Sequence, residues 1–126
     1  MRSWTMTVKT IPGAAIRGNS RAHRWAKARE TKLWRNSGHD HWLAEARDIK
    51  LEKAKITFTF HHDRKIDVDN LAIGMKPFVD GLVDMGMFPD DDPDHVSYGS
   101  HWFLLRADSK CKRGESRTII LIEEQE

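Results

Sequence analysis

The stretch Ala54-Lys55-Ile56-Thr57-Phe58-Thr59-Phe60-His61-His62 decides how the rest of the chain is read. Apolar and polar residues alternate, so Ile56, Phe58 and Phe60 share one face at the two-residue period of a half-buried strand. Downstream, Asp69 to Met85 places Leu71, Met75, Phe78 or Val79, and Leu82 at helical spacing. Pro77 lacks the N–H that would bond the Ile73 carbonyl, which predicts a kink or a restart, and Gly86 suits a helix stop. Residues 95–105 and 117–123 then read as strands. Upstream, residues 4–11 alternate like a strand that Pro12-Gly13 breaks, and residues 13–22 read as a loop. From Arg24 to Lys50 the composition is helical, with Trp34, Trp42 and Ala46 spaced by four or eight. Asn36-Ser37-Gly38 in its middle leaves one weakened helix or two shorter ones open. The order β, α, β, α, β, β predicts one α+β domain over residues 1–126, a mixed sheet with flanking helices.

A chain of 126 residues, 39% apolar and 32% charged, has the balance of a folded, water-soluble domain. No apolar run approaches the roughly 18 residues of a membrane helix, and the start lacks the apolar core of a signal peptide. Cys111 is the one cysteine, which excludes an intrachain disulfide and a cysteine zinc site. A cytoplasmic location and no membrane partner are therefore expected. The net charge of +2 conceals a polarity: residues 1–55 carry 13 Lys/Arg against 5 Asp/Glu, and residues 63–96 carry 3 against 9. All nine acids are aspartates. A basic half points to a polyanion, which an acidic cluster alone would repel. Both features fit one protein if the acids hold divalent cations.

The acids concentrate in Asp67-Val68-Asp69-Asn70 and in Asp90-Asp91-Asp92-Pro93-Asp94. Along extended backbone Asp67 and Asp69 fall on the same side, and Asp69 is placed to cap the helix that follows. The second set lies in the loop after that helix, so the fold can return it to the first. Converging carboxylates raise one another's pKa unless a cation neutralises them, and an all-oxygen set favours Mg²⁺ or Mn²⁺ over zinc. Two such ions about 4 Å apart are a common solution for phosphodiester hydrolysis. A calcium loop starting at Asp90 fails, because its sixth position is His95 rather than Gly and its twelfth His101 rather than Glu. The spacing Asp90-Asp91-x-x-Asp94 also occurs in prenyl-chain synthases, which are far larger helical enzymes. With neither a P-loop nor a dinucleotide fingerprint, no organic cofactor is expected.

Asp67-x-Asp69-Asn70, then Lys76, Asp80-Gly81-Leu82, Gly86 and Asp90-Asp91, resembles the signature of the RusA-type Holliday junction resolvases. These are small, homodimeric, magnesium-dependent endonucleases of phage and prophage origin. The opening strand ending in Pro12, followed by Asn19, Arg21, His23, Trp25 and a basic helix, is similar to many phage members. By position, the resemblance makes Asp67, Asp69 and Asp91 the metal-binding carboxylates, with Asp90 and Asp92 as neighbouring alternatives. It makes Lys76 the active-site lysine, able to stabilise charge on the phosphate or orient water. The family usually spaces its lysine three residues from the asparagine. Here the interval is six, an addition of nearly one helical turn. A run of three aspartates also stands where the family has two.

Each of these residues also has a plainer role open to it. Asp67 and Asp69 can serve as a helix cap, Asn70 can hold a carboxylate or begin the helix, and Lys76 can form an ion-pair ladder with Asp80 and Asp84. Arg21, His23, Arg24, Lys27, Arg29, Lys32 and Arg35 form a candidate phosphate-contacting surface or a solvated helix face. His61 and His62, adjacent on a strand, point to opposite faces, which disfavours joint ligation. The five tryptophans read as core, with Trp25 a candidate for stacking on a base. Cys111 needs no function, and its basic surroundings, Lys110 to Gly114, suit a second phosphate contact. The expected activity is paired cleavage of four-way DNA junctions by a two-fold homodimer with Mg²⁺ or Mn²⁺. A non-catalytic branched-DNA-binding module, or a metal-dependent nuclease for flaps, forks or single strands, are the alternatives.

Overall fold

A computed structural model describes residues 1–18, 20–105 and 115–126. Asn19 and the basic segment around Cys111 lie outside the described residues. The elements run β1 (Ser3–Val8), a 3-10 turn (Ala14–Ile16), α1 (Arg24–Glu45), β2 (Ala54–His62), α2 (Val68–Ile73), α3 (Lys76–Asp84), β3 (Val96–Tyr98), β4 (Trp102–Leu105) and β5 (Arg117–Glu124). The sheet is mixed and open. β5 lies between β1 and β2, antiparallel to both, while β3 and β4 both pair in parallel with β2. The α+β reading holds, and β2 is its central strand.

Alternation along β2 buries Ile56, Phe58 and Phe60 together with Met6, Ile120 and Ile122 of the neighbouring strands. The helices bring Leu71, Met75, Phe78, Val79 and Leu82 to this core, so both Phe78 and Val79 are inside. Trp34 and Trp42 of α1 complete it. Trp4 is half-buried and packs against the core, while Trp25 and Trp102, 66% and 62% exposed, correct the core reading for these two.

Several boundaries also shift. The first strand ends at Val8 rather than residue 11, and α1 ends at Glu45 rather than Lys50. α1 is one continuous helix through Asn36-Ser37-Gly38. A Cβ on Gly38 would strike the Phe78 carbonyl oxygen and approach the Gly81 Cα to 3.2 Å, so this glycine is where α1 crosses α3. Gly81 is reciprocally tight against the Arg35 carbonyl. A residue that weakens an isolated helix is here retained by close packing. Pro77 marks a restart: α2 ends at Ile73, and α3 opens at Lys76 with the proline in its first turn, where its missing N–H costs nothing. Gly86, at φ +85°, ends α3, with the Met87 N–H returning to the Leu82 carbonyl at 3.1 Å. The single strand expected over 95–105 is two, β3 and β4, separated at residues 99–101.

Candidate active site

Between β2 and α3 the first acidic pair sits on a helix start rather than an extended strand. Asp67, with φ −58° and ψ 121°, caps α2, its carboxylate accepting the Asp69 N–H at 2.9 Å. The cap is therefore Asp67 and not Asp69. Asp69 lies in the first helical turn, where its charge is favoured by the helix dipole. Asn70 ties the N-terminal loop to α2, because its carbonyl accepts the Gly18 N–H at 3.1 Å. Among the described residues its side chain forms no hydrogen bond to a carboxylate.

The second acidic set divides its work. The Asp90 carboxylate accepts the Asp91 N–H at 2.7 Å, and the Asp92 carboxylate accepts the Asp94 N–H at 3.1 Å. Both acids shape the turn. The Asp92 carbonyl also takes the N–H groups of His95 and Val96, at 3.0 and 2.9 Å, which leads the chain into β3. Asp91 instead reaches across to α3 and pairs with the Lys76 ammonium, which also meets Asp80 at 3.2 Å. Hydrogen bonding to Asp91 raises the Lys76 pKa, and the same contact holds the Asp91 carboxyl below its ordinary value. The expected ladder along α3 forms only with Asp80. Asp84 turns to α1, where Arg35 grips it with two N–H bonds of 2.6 and 2.7 Å and His39 adds a third contact at 2.8 Å.

Lys76 lies on the lip of a groove of about 350 Å³ walled by Phe58, Ala72, Ile73, Tyr98 and His101. The charge of Asp69 acts on the His101 ring, and that of Asp91 acts on Tyr98, whose pKa is raised mainly by burial. The two rings are 5.9 Å apart. Tyr98 and His101 are the site residues that the sequence reading misses. Their signal was the Gly99-Ser100-His101 interruption, inside what reads as one strand. A second groove of about 400 Å³ shares Ile73 and Lys76 and continues past Asp80 to Lys27 and Arg17. Arg17 donates to the Pro12 carbonyl at 2.9 Å, and its burial lowers its pKa.

The cations of α1 differ in their surroundings. Lys27 faces the second groove, whereas Arg29, two residues on, is rotated by roughly 200°. Arg29 and Lys32 are exposed, as is Arg21 ahead of the helix. Arg24 lies over the Trp25 ring at 5.3 Å. Two of the candidate DNA contacts are engaged within the fold. His23 caps α1, its Nδ1 accepting the Trp25 N–H at 3.2 Å, and Arg35 is neutralised by Asp84.

The donor set Asp67, Asp69 and Asp91 is all oxygen, which suits a hard divalent cation, and the charges of Asp69 and Asp91 act on two rings that line one groove. Among the described residues no three His, Cys, Asp or Glu side chains are gathered into a ready-made metal cluster. No helix among them is long and apolar enough to cross a membrane. No protein-family model matches the chain, and no curated protein is significantly similar to it.

Proposed function

We propose that this chain is a Mg²⁺-dependent endodeoxyribonuclease of the RusA type, acting as a homodimer that resolves four-way DNA junctions by paired nicks. The observation that carries this reading is the ion pair between Lys76 and Asp91. Fifteen residues apart, these side chains bring the second acidic segment to α3, beside the groove that Lys76 lines, despite the lengthened interval before the lysine. Asp67, Asp69 and Asp91 would hold the divalent cation, and Mn²⁺ would substitute for Mg²⁺. The cation, when bound, supplies Lewis acidity and a nucleophilic water.

The chain's own residues supply the rest. Asp80 anchors Lys76 independently of Asp91, so the ammonium stays at the groove when Asp91 is engaged elsewhere. There it stabilises negative charge accumulating on the phosphate oxygens as the phosphorus–oxygen bond breaks. Lys27 and Arg17, along the connected groove, provide a path for the flanking phosphates. Two-fold symmetry of a dimer matches the symmetry of a junction and supplies the second nick.

Calorimetric titration of Mg²⁺ into the protein tests this reading. Saturable binding that Asp69→Asn weakens by at least about tenfold is expected. Absence of binding to the unaltered protein would reduce the chain to a branched-DNA-binding module.

A further inference from the structure

His101 occupies a break in the sheet that fixes its chemistry. Ile56 pairs with Tyr98 and Thr59 with Trp102. Two residues of β2 therefore stand opposite three residues, Gly99, Ser100 and His101, the arrangement of a β-bulge. The Gly99 N–H donates to the Ile56 carbonyl at 3.0 Å, and a Cβ on Gly99 would run into the Thr57 hydroxyl. Beyond this point the Phe58 N–H donates to Nδ1 of His101, at 2.9 Å, in place of a strand carbonyl. The imidazole stacks on the Phe58 ring with centroids 4.7 Å apart, and meets Tyr98 edge-on. Its position is set on three sides.

A ring nitrogen that accepts a backbone N–H carries no proton, so the neutral imidazole bears its proton on Nε2, at the opposite edge. Burial favours that neutral form, against the pull of the Asp69 carboxylate. Among the described residues no hydrogen bond reaches Nε2. The ring lines the same groove as Lys76, whose own charge is engaged by Asp80 and Asp91.

We infer that His101 is a substrate contact, its Nε2–H donating to a non-bridging oxygen of the phosphodiester that lies against Lys76. The inference rests on the nuclease reading of the groove and adds a residue to it. A neutral donor of this kind holds an oxygen without competing with the cation for the aspartates. The backbone bond also restricts the role. A proton on Nδ1 would oppose the Phe58 N–H, so the ring orients the phosphate and moves no proton.

Imidazole ¹⁵N NMR of the full chain, without divalent cation and with a thymidine dinucleotide as probe, tests the contact directly. The Nε2-protonated tautomer is expected across neutral pH, with the His101 Nε2–H and Lys76 resonances shifting together as the dinucleotide is added. A proton on Nδ1 overturns the inference. So does a Lys76 shift with His101 unmoved, or no shift at either residue. His101→Ala should lower kcat/KM for junction cleavage by about a hundredfold. Loss of cleavage accompanied by an unmoved Nε2–H in the unaltered protein would mark His101 as a brace for the bulge alone. A chain that shifts Nε2–H with the dinucleotide yet cuts no DNA keeps this contact and loses the nuclease reading.

Discussion

In the segment from Asp67 to Asp94 Asp91 crosses to Lys76, Asp80 supports it, and the charge of Asp69 acts on the His101 ring of the groove that Lys76 lines. On α1 the charged side chains diverge. Lys27 turns to the groove, Arg29 and Lys32 face outward, and Arg35 is committed to Asp84. Both regions are dense in one sign of charge, and in the first Asp80 and Asp91 meet on one ammonium, that of Lys76. A helix spreads neighbouring residues around its axis.

The sharpest test of this contrast is Asp69→Asn. It should lower junction cleavage by about a thousandfold while junction binding holds or tightens, since a negative charge is removed beside the phosphate. Normal cleavage in a gel assay would break the convergent half of the comparison. Next in size, Gly81→Ala should cost about 1–3 kcal/mol through overpacking against α1, read as a fall in the thermal midpoint. An unchanged midpoint would mean that the helix crossing yields freely.

The divergent half makes a smaller prediction. Lys27→Ala should weaken junction binding several-fold and reduce the salt slope by about one, whereas Arg35→Ala should leave both unchanged. Equal losses, measured by titration at several salt concentrations, would restore a uniform basic face. Smallest is an acid effect. Arg35, helped by His39, holds the Asp84 carboxyl far below the usual carboxylate range. With the folded pKa depressed, the stabilisation is complete above about pH 4 and is lost as pH falls further toward the folded value. Partial exposure of both partners keeps it near about 0.5–1 kcal/mol. Arg35→Gln should flatten the acid limb of the stability curve, and an unaltered limb would show that the pair carries nothing.

What could be read from the sequence follows from the range of the interactions involved. The period of two in Ile56-Thr57-Phe58-Thr59-Phe60 and the helical stripe ending at Leu82 are local, and both match the structure. Gly38 reads as a weak point because its partner, Gly81, is distant in sequence. Asp67 and Asp69 look like alternate residues of extended chain, but Val68 already begins α2, driven by the Asp67 cap. Among Asp90, Asp91 and Asp92, composition cannot select one. Turn hydrogen bonds occupy Asp90 and Asp92 and leave Asp91 to reach Lys76. His101 was hidden for a similar reason, since its partner is a backbone N–H freed by a bulge. The exposed Trp25 and Trp102 show the limit of inferring burial from residue type.

The central claim, that converging aspartates and Lys76 cut branched DNA, is most directly tested on a labelled mobile four-way junction. Duplex, flap and single-strand controls, with Mg²⁺ at about 10 mM to saturate carboxylate sites of modest affinity, complete the assay. Paired symmetric nicks in the junction alone are expected. Tight junction binding without cleavage in Mg²⁺ or Mn²⁺ would contradict it and leave the aspartates a structural role.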